Sequence, residues 1–222
     1  QQLSFWQGAA SSDGGCCRIR DVTGGVIFRD NTIEYCLRGA RIQDCTGATS
    51  LVQGNKVYRT IEAGIYLASS TYDGNAGCED FLVSDNTVVE CGNNGIMSIG
   101  CSRNVIQNNS VIKSANAGIQ LWYVQETVVK GNSLWNCNSL TFNFIGNLGD
   151  AWGGIASAGT SLASATEYVC SITDNSILHA NQGRAASVIG VRLEHVATPR
   201  HAVFSGQKID AGDCLVHYES IS

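Results

Sequence analysis

Residues 107–122 read QNNSVIKSANAGIQLW. Asn109 is followed two residues later by apolar Val111, and nine residues later by Gly118, which opens the stretch Ile119-Gln120-Leu121-Trp122. The same phrase recurs along the chain. Asn31 lies in IFRDNTIEYC, Asn55 in LVQGNKVYRT, Asn86 in LVSDNTVVEC, Asn132 in VVKGNSLWNC and Asn175 in SITDNSILHA, and Gln207 takes the same slot in VFSGQKIDAG. Successive intervals are 24, 31, 23, 23, 43 and 32 residues. The basic period is therefore about 23, with three repeats expanded, and a period of this size marks stacked repeats.

The positions around each Asn behave alike. Three residues before it stand Phe28, Val52, Val83, Ile106, Val129, Ile172 and Phe204; two residues before it stand Arg29, Gln53, Ser84, Gln107, Lys130, Thr173 and Ser205. Two residues after it stand Ile33, Val57, Val88, Val111, Leu134, Ile177 and Ile209. Apolar-in, polar-out alternation with a β-branched bias predicts short strands with one buried face. Gly39, Gly64, Gly95 and Gly118 each open a further short strand, GARI, GIYL, GIMS and GIQL.

These features predict an all-β chain, a single-stranded right-handed parallel β-helix with coils of about 23 residues and loop insertions. Equivalent positions then stack about 4.8 Å apart on neighbouring coils. Asn is expected at the corner because it tolerates left-handed backbone and its amide can bond the Asn above and below. A propeller blade needs about 40–50 residues, and a sandwich gives no reason for Asn to recur in phase. Residues 1–23 read as a lead-in or partial coil. Residues 24–222 read as the β-helix, with insertions near 68–80 and 146–168 and a last strand CLVHYES.

Composition narrows the function classes. The 222 residues carry a formal net charge of −5, only 15% are charged, and a single Pro stands against 25 Gly. Without a basic block, neither nucleic acid nor an anionic membrane surface is an expected partner. No apolar run reaches the roughly 18 residues of a membrane span, so no membrane insertion is expected. The chain opens Gln1-Gln2 rather than Met, as a processed chain or an excised piece would. The ends of a β-helix need covering. No amphipathic helix is evident at either end, so further domains or other subunits are expected to cap the stack.

The recurrent DNTIEYC, QNNSVIKSANAGI and GNSLWNC resemble the right-handed parallel β-helix of pectin-lyase-like proteins over roughly residues 20–220. Within that superfamily the chain is most similar to bacteriophage tailspikes and other polysaccharide-depolymerising virion proteins. The resemblance implies a virion or extracellular location, a homotrimer and a bacterial surface polysaccharide as partner. The Asn-Thr-Asp, Asp-Asp and Gly-His-Gly segments of polygalacturonases are not matched; Asp85-Asn86-Thr87 is the nearest approach. The clustered Asp and catalytic Arg of pectate lyases are not matched either, so no family catalytic residue carries over.

Ten Cys occur without a CxxC pair or a Cys/His zinc spacing, so neither a metal nor any other cofactor is expected. Five residues after the anchor lie Cys36, Thr60, Cys91, Ser114, Cys137 and Ala180, a column of small, inward residues. Its cysteines stand two coils apart, about 9–10 Å, beyond the roughly 7 Å reach of a disulfide; free thiols are expected. Cys78 and Cys101 lie eight residues before adjacent anchors and could bond in an oxidising compartment.

Function belongs to outward side chains and insertions. Both insertions and the pair Trp122-Tyr123 fall thirteen to fourteen residues after an anchor, so all three are expected along one edge. The walls would stand two to three coils apart, about 10–15 Å, with Trp122, Tyr123, Tyr66, Arg41, Gln120 and Trp152 as the sugar-binding candidates and Met97 facing out beside them. Aromatic faces suit the apolar C–H face of a sugar, and polar neighbours bond its hydroxyls. Glycoside hydrolysis needs a carboxyl as acid and a carboxylate as base or nucleophile; the candidates are Asp73, Asp80, Asp150 and Glu126. A competing group, Arg59, Glu90 and Lys113 with Glu62 nearby, should stack on three coils. It suits either a uronate lyase or C5-epimerase or a plain surface charge ladder. The functions weighed are therefore an endoglycosidase of the tailspike type, a non-catalytic receptor-binding or structural virion β-helix, and a uronate-acting enzyme.

Overall fold

The computed structural model describes residues 16–70, 77–122, 124–137, 155–158, 169–178, 189–195, 201–210 and 214–220, with only the backbone described at 155–158, 169–170, 189–195, 201–204, 210 and 214–220. Strands occupy almost all of the regular structure. They form three parallel sheets, of eight, seven and seven strands among the described residues. Each coil contributes one strand to each sheet in turn, and each strand pairs with its equivalents one coil away, so the chain is a right-handed parallel β-helix. Sheet A contains β1 (Cys17–Arg20), β4 (Ala40–Gln43), β7 (Ile65–Ala68), β10 (Ile96–Ile99), β13 (Ile119–Trp122), β16 (Ile155–Ala158), β19 (Ile189–His195) and β22 (Cys214–Ser220). Sheet B holds the strands before each Asn and sheet C those after it; Val105–Gln107 and Ser110–Ser114 are the pair around Asn109.

The Gly-opened strands fall where the repeat puts them, and β22 is the expected last strand. Within residues 1–23, β1 pairs with β4 in register, Cys17 to Ala40 through Arg20 to Gln43. The stretch 146–168 contains β16, paired with β13.

The core runs along the axis. Ile33, Val57, Val88, Val111, Leu134 and Ile177 are buried from sheet C, and Val52, Val83, Ile106, Val129 and Ile172 from sheet B. The corner between these sheets is held by an amide ladder. The Nδ2 of Asn31, Asn55, Asn86, Asn109 and Asn132 each donates to Oδ1 of the next Asn at 2.8–3.0 Å. The same Oδ1 also accepts the backbone N–H of the preceding Asn, as Asn109 does from Asn86 at 3.0 Å. The second amide proton reaches a carbonyl one coil back, as from Asn86 to Val52 O at 2.9 Å. Gln207 ends the ladder, its Oε1 accepting Asn175 N–H at 3.2 Å.

The left-handed residue of this corner is not the Asn. It is the residue before it: Asp30, Gly54, Asp85, Asn108, Gly131, Asp174 and Gly206 have φ between 54° and 66°. The buried Asn must direct both its N–H and its side chain at the next coil, so the turn is made one position earlier. A second left-handed column holds Tyr35, Arg59, Glu90, Lys113 and Asn136, φ 53° to 60°. Non-Gly residues there are uncommon, and intercoil bonds such as Tyr35 N–H to Tyr58 O at 3.1 Å hold them in place.

The small-residue column is buried as expected: Cys36, Thr60, Cys91, Ser114 and Cys137 are all inside, and the three Cys are thiols. Burial pushes the Cys91 thiol up to about 12 and that of Cys137 up to about 11. Cys45 joins Cys78 and Cys101 in a second thiol column, which the Asn spacing showed for the latter two alone. Glu79 N–H bonds Cys45 O at 3.1 Å and Ser102 N–H bonds Cys78 O at 3.2 Å. Cys45, Cys78 and Cys101 therefore stack on three consecutive coils, all fully buried. On the outside, sheet C carries an apolar row in register, Tyr58, Val89, Ile112 and Trp135, of which Trp135 is exposed.

Candidate functional site

Strand parity sets the outer face of sheet A. Register places Arg18, Arg41, Tyr66, Met97 and Gln120 in one outward row, and Gln43, Ala68, Ile99 and Trp122 in another. These residues point away from the axis, yet Arg41, Tyr66, Ala68, Ile99 and Gln120 are buried. Ala63, Tyr66, Ala68 and Ile99, with Met97 and Trp122 against them, form an apolar cluster separate from the core.

A cavity of about 510 Å³ opens on this face, lined by Arg38, Glu62, Ala63, Tyr66, Asn93, Met97, Ile99 and Trp122. Two guanidinium groups flank the Tyr66 ring: Arg38 Cζ lies 5.5 Å and Arg41 Cζ 5.6 Å from its centroid. Both distances suit cation–π attraction. Arg38 is also ion-paired with Glu62. Gln120 Oε1 accepts Asn94 Nδ2 at 2.7 Å, which orients its amide beside the cavity. The cavity thus combines two aromatic walls with a guanidinium, a carboxylate and an amide, a set able to stack on a ring and bond hydroxyl or carboxylate groups.

Of the sugar-binding candidates, Tyr66 and Trp122 line the cavity, Arg41 stacks on Tyr66, and Gln120 stands in the same outward row as Tyr66. Tyr123 and Trp152 lie outside the described residues, as do Asp73 and Asp150 among the acids. Arg38 and Asn93 were missed. Both lie one or two residues before the Gly that opens a sheet A strand (Gly39, Gly95), and Glu62 stands likewise before Gly64. That Gly column was the available signal for this rim.

Asp80 and Glu126 stand in a third left-handed column at the corner between sheets A and B, with Arg103 on the coil between them (φ 60°, 53° and 46° for Asp80, Arg103 and Glu126). Arg103 bonds Asp80 in bidentate fashion at 2.8 and 3.1 Å and Glu79 at 2.7 Å. The Arg103 guanidinium holds the Asp80 carboxyl below its usual range. A general acid must keep its proton near the working pH; Asp80 is tuned the other way. Glu126 is exposed.

The shift predicts a pH effect. Because the folded pKa is depressed, its stabilisation is present above the unfolded value of about 3.9 and is lost as pH falls through the folded one. Arg103→Ala should move the acid-unfolding midpoint upward. At neutral pH it should cost less than about 1 kcal/mol, because the pair is exposed to solvent. Acid titration by circular dichroism checks this; an unchanged acid limb contradicts it.

The ladder Arg59, Glu90 and Lys113 is closed on itself. Arg59 Nε donates to Glu90 Oε2 at 3.0 Å, Lys113 Nζ to Glu90 Oε1 at 3.4 Å, and Arg59 Nη1 to Tyr35 Oη. Arg59, and secondarily Lys113, hold the Glu90 carboxyl below its usual range. This is the surface charge ladder among the two readings the sequence left open.

The solved alginate lyase from Paenibacillus sp. str. FPU-7 shares the fold, at 13% sequence identity and a TM-score of 0.55, covering 93% of this chain and 75% of that one. No curated protein matches the sequence. The family described as periplasmic copper-binding protein (NosD) matches residues 11–181. Among the described residues no group of three or more His, Cys, Asp or Glu converges as a metal site. The thiols of Cys45, Cys78, Cys101 and Cys137 donate to backbone carbonyls inside the core. The described residues therefore do not fit the copper that the family description names. With most of its length matched, the chain belongs to the NosD family, within the pectin-lyase-like parallel β-helix proteins.

Proposed function

We propose that the cavity on the outer face of sheet A binds a polysaccharide, and that the protein binds and depolymerises a bacterial surface glycan in the manner of a tailspike. The observation that carries this reading is the meeting of Tyr66 and Trp122 with Arg38, Glu62 and Asn93 in one cavity. A sugar ring stacks on the aromatic walls while the polar rim bonds its hydroxyls. The fold shared with an alginate lyase supports a polysaccharide as the ligand class.

The test is binding of the whole chain to a panel of capsular, lipopolysaccharide and uronate glycans by calorimetry or affinity electrophoresis. Loss of an aromatic stacking wall should weaken binding by more than about 10-fold, about 1.4 kcal/mol. Trp122→Ala should do this, while Trp135→Ala, on sheet C, should not. Equal loss in both variants, or no binding to any glycan, overturns the reading.

For hydrolysis, Asp80 fits only the deprotonated role, so the acid falls to Asp73, Asp150 or Glu126. A second reading is favoured by the two guanidinium groups beside Tyr66. They could neutralise a uronate carboxylate in a lyase or C5-epimerase. Products decide: new reducing ends alone mean hydrolysis, and an unsaturated uronate chromophore means elimination.

A further inference from the structure

We propose that Cys78 and Cys101 form an intercoil disulfide when the chain folds under oxidising conditions, stapling two neighbouring coils from inside the core. This modification site is independent of the glycan-binding reading.

Placement comes first. Glu79 and Ser102 form a parallel bridge, and Ser102 N–H bonds Cys78 O at 3.2 Å. The cysteines before them are thus direct neighbours on adjacent coils, with Cα atoms about 4.8 Å apart by the spacing of strands. That lies inside the window of roughly 4.4–6.8 Å that a disulfide needs. Both are free thiols in the structure, each donating to a backbone carbonyl, Cys78 to Ile42 O at 3.3 Å and Cys101 to Ile99 O at 3.1 Å. No other residue type in this column offers them a partner of similar reactivity except Cys45.

Cys45 is the competitor, because Cys78 stands between it and Cys101. Its Sγ donates to Gln43 O at 3.1 Å and to Ile19 O at 3.8 Å, on its own coil and the preceding one. Cys78 can make only one disulfide, and the parallel bridge of Glu79 with Ser102 sets it in register with Cys101. Cys91 and Cys137 are excluded, because Ser114 separates them on the intervening coil.

Burial sets the timing. Both thiols are fully buried, and burial is the leading cause that pushes the Cys78 thiol well above its ordinary value. The thiolate is the attacking species, so exchange belongs to the stage before the coils close. A small disulfide such as oxidised glutathione serves as oxidant. One cysteine thiolate attacks it, releasing one glutathione thiol and leaving a mixed disulfide; the second cysteine displaces the other glutathione. Two S–H bonds are lost and one Sγ–Sγ bond forms; two electrons and two protons pass to the oxidant, giving two molecules of reduced glutathione.

The test refolds the full chain in buffer with oxidised and reduced glutathione, and in parallel with reduced glutathione alone. Each sample is alkylated in denaturant and digested with trypsin. No Lys or Arg falls between Arg59 and Arg103, so residues 60–103 leave as one peptide holding Cys78, Cys91 and Cys101. After oxidative refolding this peptide should take one alkyl group, on Cys91; after reductive refolding it should take three. Cleavage after Asp80, Asp85 and Glu90 confirms that the link joins 78 to 101. The oxidised protein should melt roughly 6–12 °C higher, as expected for a closed loop of this length. Cys101→Ala should abolish that difference and Cys91→Ala should keep it. Three alkyl groups after oxidative refolding, a bridge to Cys45 in the peptide 42–56, or a melting difference that survives Cys101→Ala overturns the proposal.

Discussion

Asn86→Ala should lower the stability of the folded chain by about 3–5 kcal/mol. Asn86 is at the middle of the amide ladder and almost fully buried. Its Oδ1 accepts Asn55 N–H at 3.0 Å and Asn55 Nδ2 at 2.9 Å; its Nδ2 donates to Asn109 Oδ1 at 2.9 Å and to Val52 O at 2.9 Å. Alanine removes all four bonds and leaves two donors and a carbonyl buried without these partners. Each buried orphan costs about 1–3 kcal/mol, more than the net worth of the bond that served it. Asn86→Asp gives a sharper control. It keeps the acceptor but places a carboxylate oxygen against Asn109 Oδ1 and Val52 O. It should therefore be the worse variant at neutral pH and recover in part in acid, where the carboxyl becomes a donor. Urea unfolding reads both, and a loss below about 1 kcal/mol for Asn86→Ala would show that the ladder contributes little.

That ladder is also where the sequence was most informative. Asn recurs in phase because each copy must satisfy the copy above and below, so a physical repeat of the bond becomes a repeat in the text. The inward Val and Ile columns were legible for the same reason. What escaped has local causes. The left-handed position was misassigned by one residue, because Asp30, Asp85 and Asn108 can adopt that backbone as readily as Asn can. Cys45 lies ten residues before its anchor while Cys78 and Cys101 lie eight before theirs; counting from the Asn put it out of column. β16 was hidden because IASA sits amid Gly, Ala and Ser and has little apolar contrast. Tyr66 and Trp122 were readable as outward aromatics, whereas Arg38 and Asn93 required the rim of sheet A to be aligned by Gly rather than by Asn. The acids divide similarly: sequence could pick out Asp80 as a carboxylate near the edge, but only the fold shows Arg103 clamped onto it.

Gly95→Ala should cost about 2–4 kcal/mol, although the change adds a single methyl group. Gly95 opens β10 at the corner between sheets C and A. A Cβ there would stand 2.2 Å from Val111 Cγ1 and 2.7 Å from Gly118 O. Val111 is fully buried and Gly118 O is backbone that accepts Ile96 N–H at 2.9 Å, so neither can move without disturbing the next coil. The same clash repeats down the column, at Gly39 with Val57 and at Gly64 with Val88. The glycine is thus required by close approach of neighbouring coils, not by its dihedral angles. Two comparisons isolate this cause. At Gly24 an added Cβ would meet nothing within 4 Å, so Gly24→Ala should change stability by no more than about 0.5 kcal/mol. Val111→Ala opens the space that the methyl group added at Gly95 would need. The double variant Gly95→Ala/Val111→Ala should therefore be more stable than the sum of the single losses predicts, by about 1 kcal/mol or more. Strict additivity in urea unfolding would mean that the cost of Gly95→Ala arises from backbone displacement at Gly118 and not from the valine column.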